Sequence, residues 1–155
     1  MSKFNDHLTL CTEQFSQIAY PHFIDSEKLN ALQKEQLLGT SDYVRQAVNL
    51  KVDFTLNGAP ISIPRITDVL TSEAALSMLI SLCINLGGGG LKAVLQRALP
   101  VLAQNSKLSS ASQLSKIDEN KLLNTILTLE TDNRIINRVN GSLSAFSTEK
   151  GSGLA

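Results

Sequence analysis

His7 and Cys11 stand one helical turn apart, and His22 follows eleven residues later. On a helix the first two share a face, so an imidazole and a thiolate could reach one metal ion. A tetrahedral zinc site needs four protein ligands, or three and a water, and no second cysteine or acidic pair completes this set. No metal is expected. The same residues could make a thiolate nucleophile and its base, but the chain has two histidines in all, neither in a nucleophile-like context. Asp118-Glu119 stands at the start of an apolar periodic run, where carboxylates cap a helix and answer its dipole. With no triad, nucleotide loop or ligand cluster, the sequence points to no catalytic residue and no cofactor, and the chain reads as not an enzyme.

Gly87, Gly88, Gly89 and Gly90 follow an apolar run and precede Leu91 and Lys92. Such a stretch could cradle a phosphate on backbone amides. The P-loop spacing fails, however, because Lys92 occupies the place of its second glycine and Ala93 follows. A dinucleotide fingerprint needs a preceding strand, and the element here reads as a helix. A membrane hairpin over 72–103 is a further reading, since no charge occurs from Ala74 to Leu91. Ser77, Ser81 and Asn85 interrupt that span, and its continuous apolar part, Ala74 to Leu86, has the length of a core helix. An uninterrupted helix with touching backbones is another. The reading preferred is a hinge: glycine supplies the left-handed conformation that caps one helix and lets the next turn back over it.

The basic residues are unevenly spread. From Ala74 to Ile117 there is no Asp or Glu, while Lys92, Arg97, Lys107 and Lys116 make the segment basic. These four could contact a nucleic-acid backbone without reading bases. No aromatic residue lies between Phe54 and Phe146 to stack on single strands. Over the whole chain 14 basic and 14 acidic residues cancel, so total charge selects no partner.

The elements that position these residues follow from periodicity. Phe4, Leu8, Cys11, Phe15 and Ile18 recur at helical steps, as do Leu29, Leu32 and Leu37, so two N-terminal helices are expected. Then Val48, Leu50, Val52, Phe54 and Leu56 alternate with polar residues, Asn57-Gly58 follows, and "APISIP" returns. That is a β-hairpin over about 47–63, with Pro60 and Pro64 restricting its second strand to an edge. Thr71 or Ser72 caps a helix that is apolar almost all round. A second helix follows the glycines, with Pro100 expected to kink or shorten it. The Ser-rich run 105–116 reads as a loop. The last strong element, 118–146, carries Leu122, Ile126, Leu129, Ile136 and Leu143 on a heptad-like stripe interrupted by Asn133 and Asn140. Residues 147–155 read as a flexible tail, with a Gly-Ser-Gly of the kind found in appended linkers.

The expected fold is therefore α+β and mostly α, with one domain over 1–146 and the hairpin packed on helices. Two isolated cysteines in apolar surroundings, and an N-terminus without an apolar leader core, point to a reducing, cytoplasmic setting. The function expected is that of a non-enzymatic interaction component: a subunit, adaptor or chaperone-like factor. Its partners would be other protein subunits or a second copy of itself, associating through the C-terminal stripe. A nucleic-acid accessory role through 74–117 is the alternative, and membrane insertion is not expected.

Overall fold

A computed structural model describes residues 39–154. The two N-terminal helices, His7, Cys11 and His22 lie outside the described residues. Residues 39–48 form helix α1, so Val48 of the alternating run is helical and the hairpin, expected over about 47–63, begins only at Val52. Strand β1 (Val52–Leu56) pairs antiparallel with β2 (Ala59–Ile63), in the register Val52 to Ile63, Phe54 to Ile61 and Leu56 to Ala59. The two residues between them, Asn57 and Gly58, both take positive φ, 52° and 81°. This is the backbone a two-residue hairpin requires. Val52, Phe54, Leu56, Ile61 and Ile63 are buried, and Ala59 at the turn is exposed. Pro60 stands opposite Thr55, where its missing N–H removes nothing essential at the sheet edge. A short 3₁₀ turn at Ile66–Asp68 then ties the hairpin to α1. Ile66 N–H donates to the Leu50 carbonyl at 2.8 Å, and Thr67 Oγ1 donates to that of Val48 at 2.9 Å.

Helix α2 (Glu73–Asn105) is the spine on which β1 and the later helices pack. Ser72 is its N-cap and accepts a hydrogen bond from Ala75 N–H. The break at the glycines is one residue wide. Gly87 alone leaves helical conformation, at φ 72° and ψ 169°, and Gly88, Gly89 and Gly90 resume it at once. The break is tight, since a Cβ on Gly90 would lie 2.5 Å from that of Leu86. Of the two effects expected of Pro100, the shortening does not occur: the second half stays helical to Asn105. One lost N–H donor is tolerated where neighbouring turns are clamped by buried Leu95, Ala98, Leu99 and Leu102.

These glycines predict opposite effects. The backbone of Gly87 is accessible to essentially no other residue, so Gly87→Ala should destabilise by about 1–3 kcal/mol. Gly89 has ordinary helical geometry with open space around it. Gly89→Ala should therefore stabilise by about 0.5–1 kcal/mol, both changes being read from urea denaturation midpoints. Equal effects of the two would contradict the one-residue hinge.

The Ser-rich run contains one helical turn, α3 (Ala111–Leu114), anchored by buried Leu114 and by Ile117 beyond it. The expected single element over 118–146 is two helices. Helix α4 (Glu119–Leu129) is capped by Asp118, whose carboxylate accepts from Lys121 N–H at 3.0 Å. Helix α5 (Asn133–Ala145) is capped by Asp132, accepting from Arg134 N–H at 2.8 Å. Both pack on α2 and on each other. Residues Tyr43–Leu154 form one compact unit, predominantly helical with a single two-stranded sheet among the described residues. The expected α+β, mostly α class is what the chain adopts.

Candidate functional site

A polar junction is built where the start of α2, the start of α4 and the C-terminal segment meet. An α-helix leaves its first N–H groups without partners, and buried donors must find them elsewhere. Here every one at the start of α2 is answered. Ser72 N–H donates to Glu119 Oε2 at 2.8 Å, and Glu73 N–H to Ser152 Oγ at 3.0 Å. Ala74 N–H donates to the Ser147 carbonyl at 2.9 Å, and Ala75 N–H to Ser72 Oγ at 3.2 Å. Thr71 N–H adds bonds of 3.0 and 3.1 Å to the two oxygens of Glu119.

Glu119 is the centre of this junction, only 2% exposed. Lys150 Nζ donates to its Oε1 at 3.0 Å and to the Val69 carbonyl at 2.6 Å. Burial alone pushes the carboxyl pKa up. The hydrogen bonds from Ser72, Thr71 and Lys150 outweigh it and hold the group below the ordinary glutamate value. The hydroxyl of Thr71 bonds in both directions, donating to Glu119 Oε1 at 3.3 Å and accepting from Gly151 N–H at 2.9 Å. The chemistry available is an ionic and hydrogen-bonded lock. Asp118 plays the capping part assigned to the Asp118-Glu119 pair, while Glu119 turns to a different helix. No spacing in the sequence links residue 119 to residues 71 and 72, so only the folded chain reveals it.

The segment expected to be a flexible tail is part of the same junction. Besides the contacts of Ser147, Lys150 and Ser152, Gly153 N–H donates to the Thr71 carbonyl at 3.0 Å. A Cβ on Gly153 would sit 2.5 Å from Leu76 Cδ1 and 3.0 Å from the Thr71 carbonyl oxygen. The Gly-Ser-Gly is thus fitted to the fold.

The predicted interaction stripe separates into two groups. Leu122 and Ile126 are completely buried in the chain's own core, whereas Leu129 is 41% exposed and Ile136 and Leu143 are half-buried. The break at residues 130–132 resets the helical phase, so Ile135, Val139 and Ser142 turn inward on α5. By their spacing Asn133, Ile136, Asn140 and Leu143 share the neighbouring face, and both asparagines are exposed. The two inward leucine and isoleucine side chains on α4 cannot belong to a coiled-coil seam with another chain.

The four cations of the basic segment also have different settings. Lys92 Nζ lies 3.7 Å from Asp53, which Lys51 approaches to 3.4 Å and Ser62 Oγ bonds at 2.6 Å. Arg97 Nε donates to Glu130 Oε1 at 2.9 Å, linking α2 to the end of α4. Lys107, at φ 54° just beyond α2, and Lys116 beyond α3 are exposed and make no ion pair with a described residue. Asp53 and Glu130 lie outside the acid-free stretch in sequence but return to it in space, so half of its charge is answered internally.

Two other features complete the surface. A polar groove between α2 and α4 is lined by Asn105, Ser106, Lys121, Asn124 and Thr128. Thr125 and Thr128 hydroxyls there donate to the carbonyls one turn back, at 2.8 and 2.9 Å, which ties up their protons. Helix α2 is long and apolar enough to cross a membrane, with mean hydropathy 1.6 over its best window. In the fold, though, Met78, Leu79, Leu82, Leu91 and Leu95 of that stretch are core. Cys83 is buried there as well, and desolvation raises its thiol pKa, which makes it a poor nucleophile. No protein-family model, no curated protein and no solved structure matches the chain.

Proposed function

We propose that this chain is a non-enzymatic protein–protein interaction component, a subunit or adaptor that associates through the outer face of α5 and the adjoining end of α4. The observation that carries this reading is the half-buried row of Ile136 and Leu143, flanked by exposed Asn133 and Asn140, with Leu129 exposed at the end of α4. Single exposed apolar side chains are ordinary, but an apolar pair two helical turns apart on one face, rimmed by amides, resembles the mixed surface of a non-obligate interface. The partner is another protein subunit or a second copy, met in a reducing, cytoplasmic setting. The nucleic-acid reading receives less support, because Asp53 and Glu130 already answer Lys92 and Arg97.

Ile136→Asp combined with Leu143→Asp tests the proposal. The double variant should keep its helical circular dichroism and lose the assembly or co-purifying subunit that wild type shows in light scattering and affinity capture. The reading fails if wild type is a monomer without partners, or if the variant retains the same associations.

A further inference from the structure

Residues 147–153 contact the start of α2 through many polar bonds, yet not one of these residues is buried. The strap that they form is held by Ser147, Lys150, Gly151, Ser152 and Gly153, each bonded to Val69, Thr71, Glu73, Ala74 or Glu119. Segments whose own residues stay out of the core open at lower free energy than the core does, even when their hydrogen bonds are partly shielded, as those of Lys150, Gly151 and Ser152 are. What the strap covers is different in kind. Ala74 and Ala75 are completely buried, and the Glu119 carboxylate is nearly so. The fit is specific: a lysine reaches the carboxylate, and three residues later a glycine passes within van der Waals reach of the Thr71 carbonyl and Leu76, where no side chain has room.

We propose that the start of α2 is a peptide-binding slot filled in cis by residues 147–153, and that this strap opens and closes as a unit while the core stays folded. The ligand class is a short peptide carrying a lysine three positions before a glycine. On opening, Ala74 N–H and Glu73 N–H lose their acceptors and Glu119 loses its ammonium, while its bonds from Thr71 and Ser72 persist. The opened slot is therefore pre-formed for the same segment or a similar one. Nothing here depends on the interaction face of α5, so either proposal can fail alone.

Hydrogen exchange on the full-length chain under native conditions tests the opening. The amides of Ala74, Gly151 and Gly153 should share one protection factor, roughly a hundredfold below that of Leu79 and Leu95. Equal protection of all five would overturn the proposal, because the strap would then open only by global unfolding. The slot is tested in the full-length Gly153→Leu variant, whose new side chain meets Leu76. Ala74 should exchange at least about tenfold faster in it, with Leu95 unchanged. A synthetic peptide of residues 147–155 at about 1 mM should restore Ala74 protection, and the same peptide with Lys150→Ala should bind roughly tenfold more weakly. No restoration by the unaltered peptide, or equal restoration by both, would overturn the slot.

Discussion

Ile126→Asp should unfold this chain, whereas Ile136→Asp should leave it folded. Both positions lie on the heptad-like stripe that the sequence presents, and a helix packed against a second chain would expose them alike. In the fold, Ile126 is 0% exposed, on the inner side of α4 facing α2 and α5. A carboxylate there has neither water nor a partner, and the penalty of several kcal/mol is comparable with the whole stability of a small domain, about 5–15 kcal/mol. Ile136 is half-buried in the first turn or so of α5, where a negative charge is favoured by the helix dipole. Its replacement should lower stability by about 1 kcal/mol, the loss of part of an apolar contact. Thermal melts followed by circular dichroism separate the outcomes: no cooperative transition for Ile126→Asp, and a shift of a few degrees for Ile136→Asp. A cooperative, native-like melt from Ile126→Asp would mean that α4 does not occupy the core.

That contrast also marks where the sequence was legible. The hairpin could be read because unbroken alternation, an Asn-Gly turn and two prolines all point to one local geometry, and Val52 to Ile63 pair as the pattern demands. The helix start at Ser72 and the chain break at the glycines were readable for the same reason, since caps and left-handed turns are short-range devices. Which of the four glycines turns was not readable, because each could adopt the conformation. The α4–α5 break shows how a period misleads. Two helices separated by Glu130, Thr131 and Asp132 still place apolar residues near multiples of seven, and only the cap Asp132 signals a new start. The junction at α2 was least legible. Ser, Gly and Lys in residues 147–153 have the composition of a disordered linker, and their order arises from partners some 80 residues distant in sequence, such as Thr71 and Gly151. The basic segment misled similarly, because Asp53 and Glu130 reach Lys92 and Arg97 only through the tertiary fold.

Glu119→Ala should be among the most damaging polar substitutions in the chain, and its effect should depend on pH. Removing the carboxylate strips acceptors from Thr71 N–H and Ser72 N–H and leaves Lys150 beside a buried, uncompensated gap. Loss of one partner from a buried ionic contact costs about 3–5 kcal/mol. Glu119→Gln keeps the shape and one carbonyl oxygen but loses the charge, and should cost on the order of 1–3 kcal/mol at neutral pH. Because the folded pKa of Glu119 is lowered from its ordinary value of 4.5, the folded state holds the charged form more tightly than the unfolded chain does. The stabilisation is complete above that unfolded value and is lost as pH falls through it toward the lower folded pKa. Below both, wild-type Glu119 is a neutral, near-isosteric match for glutamine. Urea denaturation of wild type and Glu119→Gln should therefore give a gap that is constant from pH 7 to about 5 and closes as pH drops further. Other carboxylates also titrate in that range, among them Asp53, held low first by the Ser62 hydroxyl and also by Lys51 and Lys92. They are common to both proteins and cancel in the difference. A gap that persists unchanged in acid would show that the charge of Glu119 does not hold the start of α2, and that its burial there rests on packing alone.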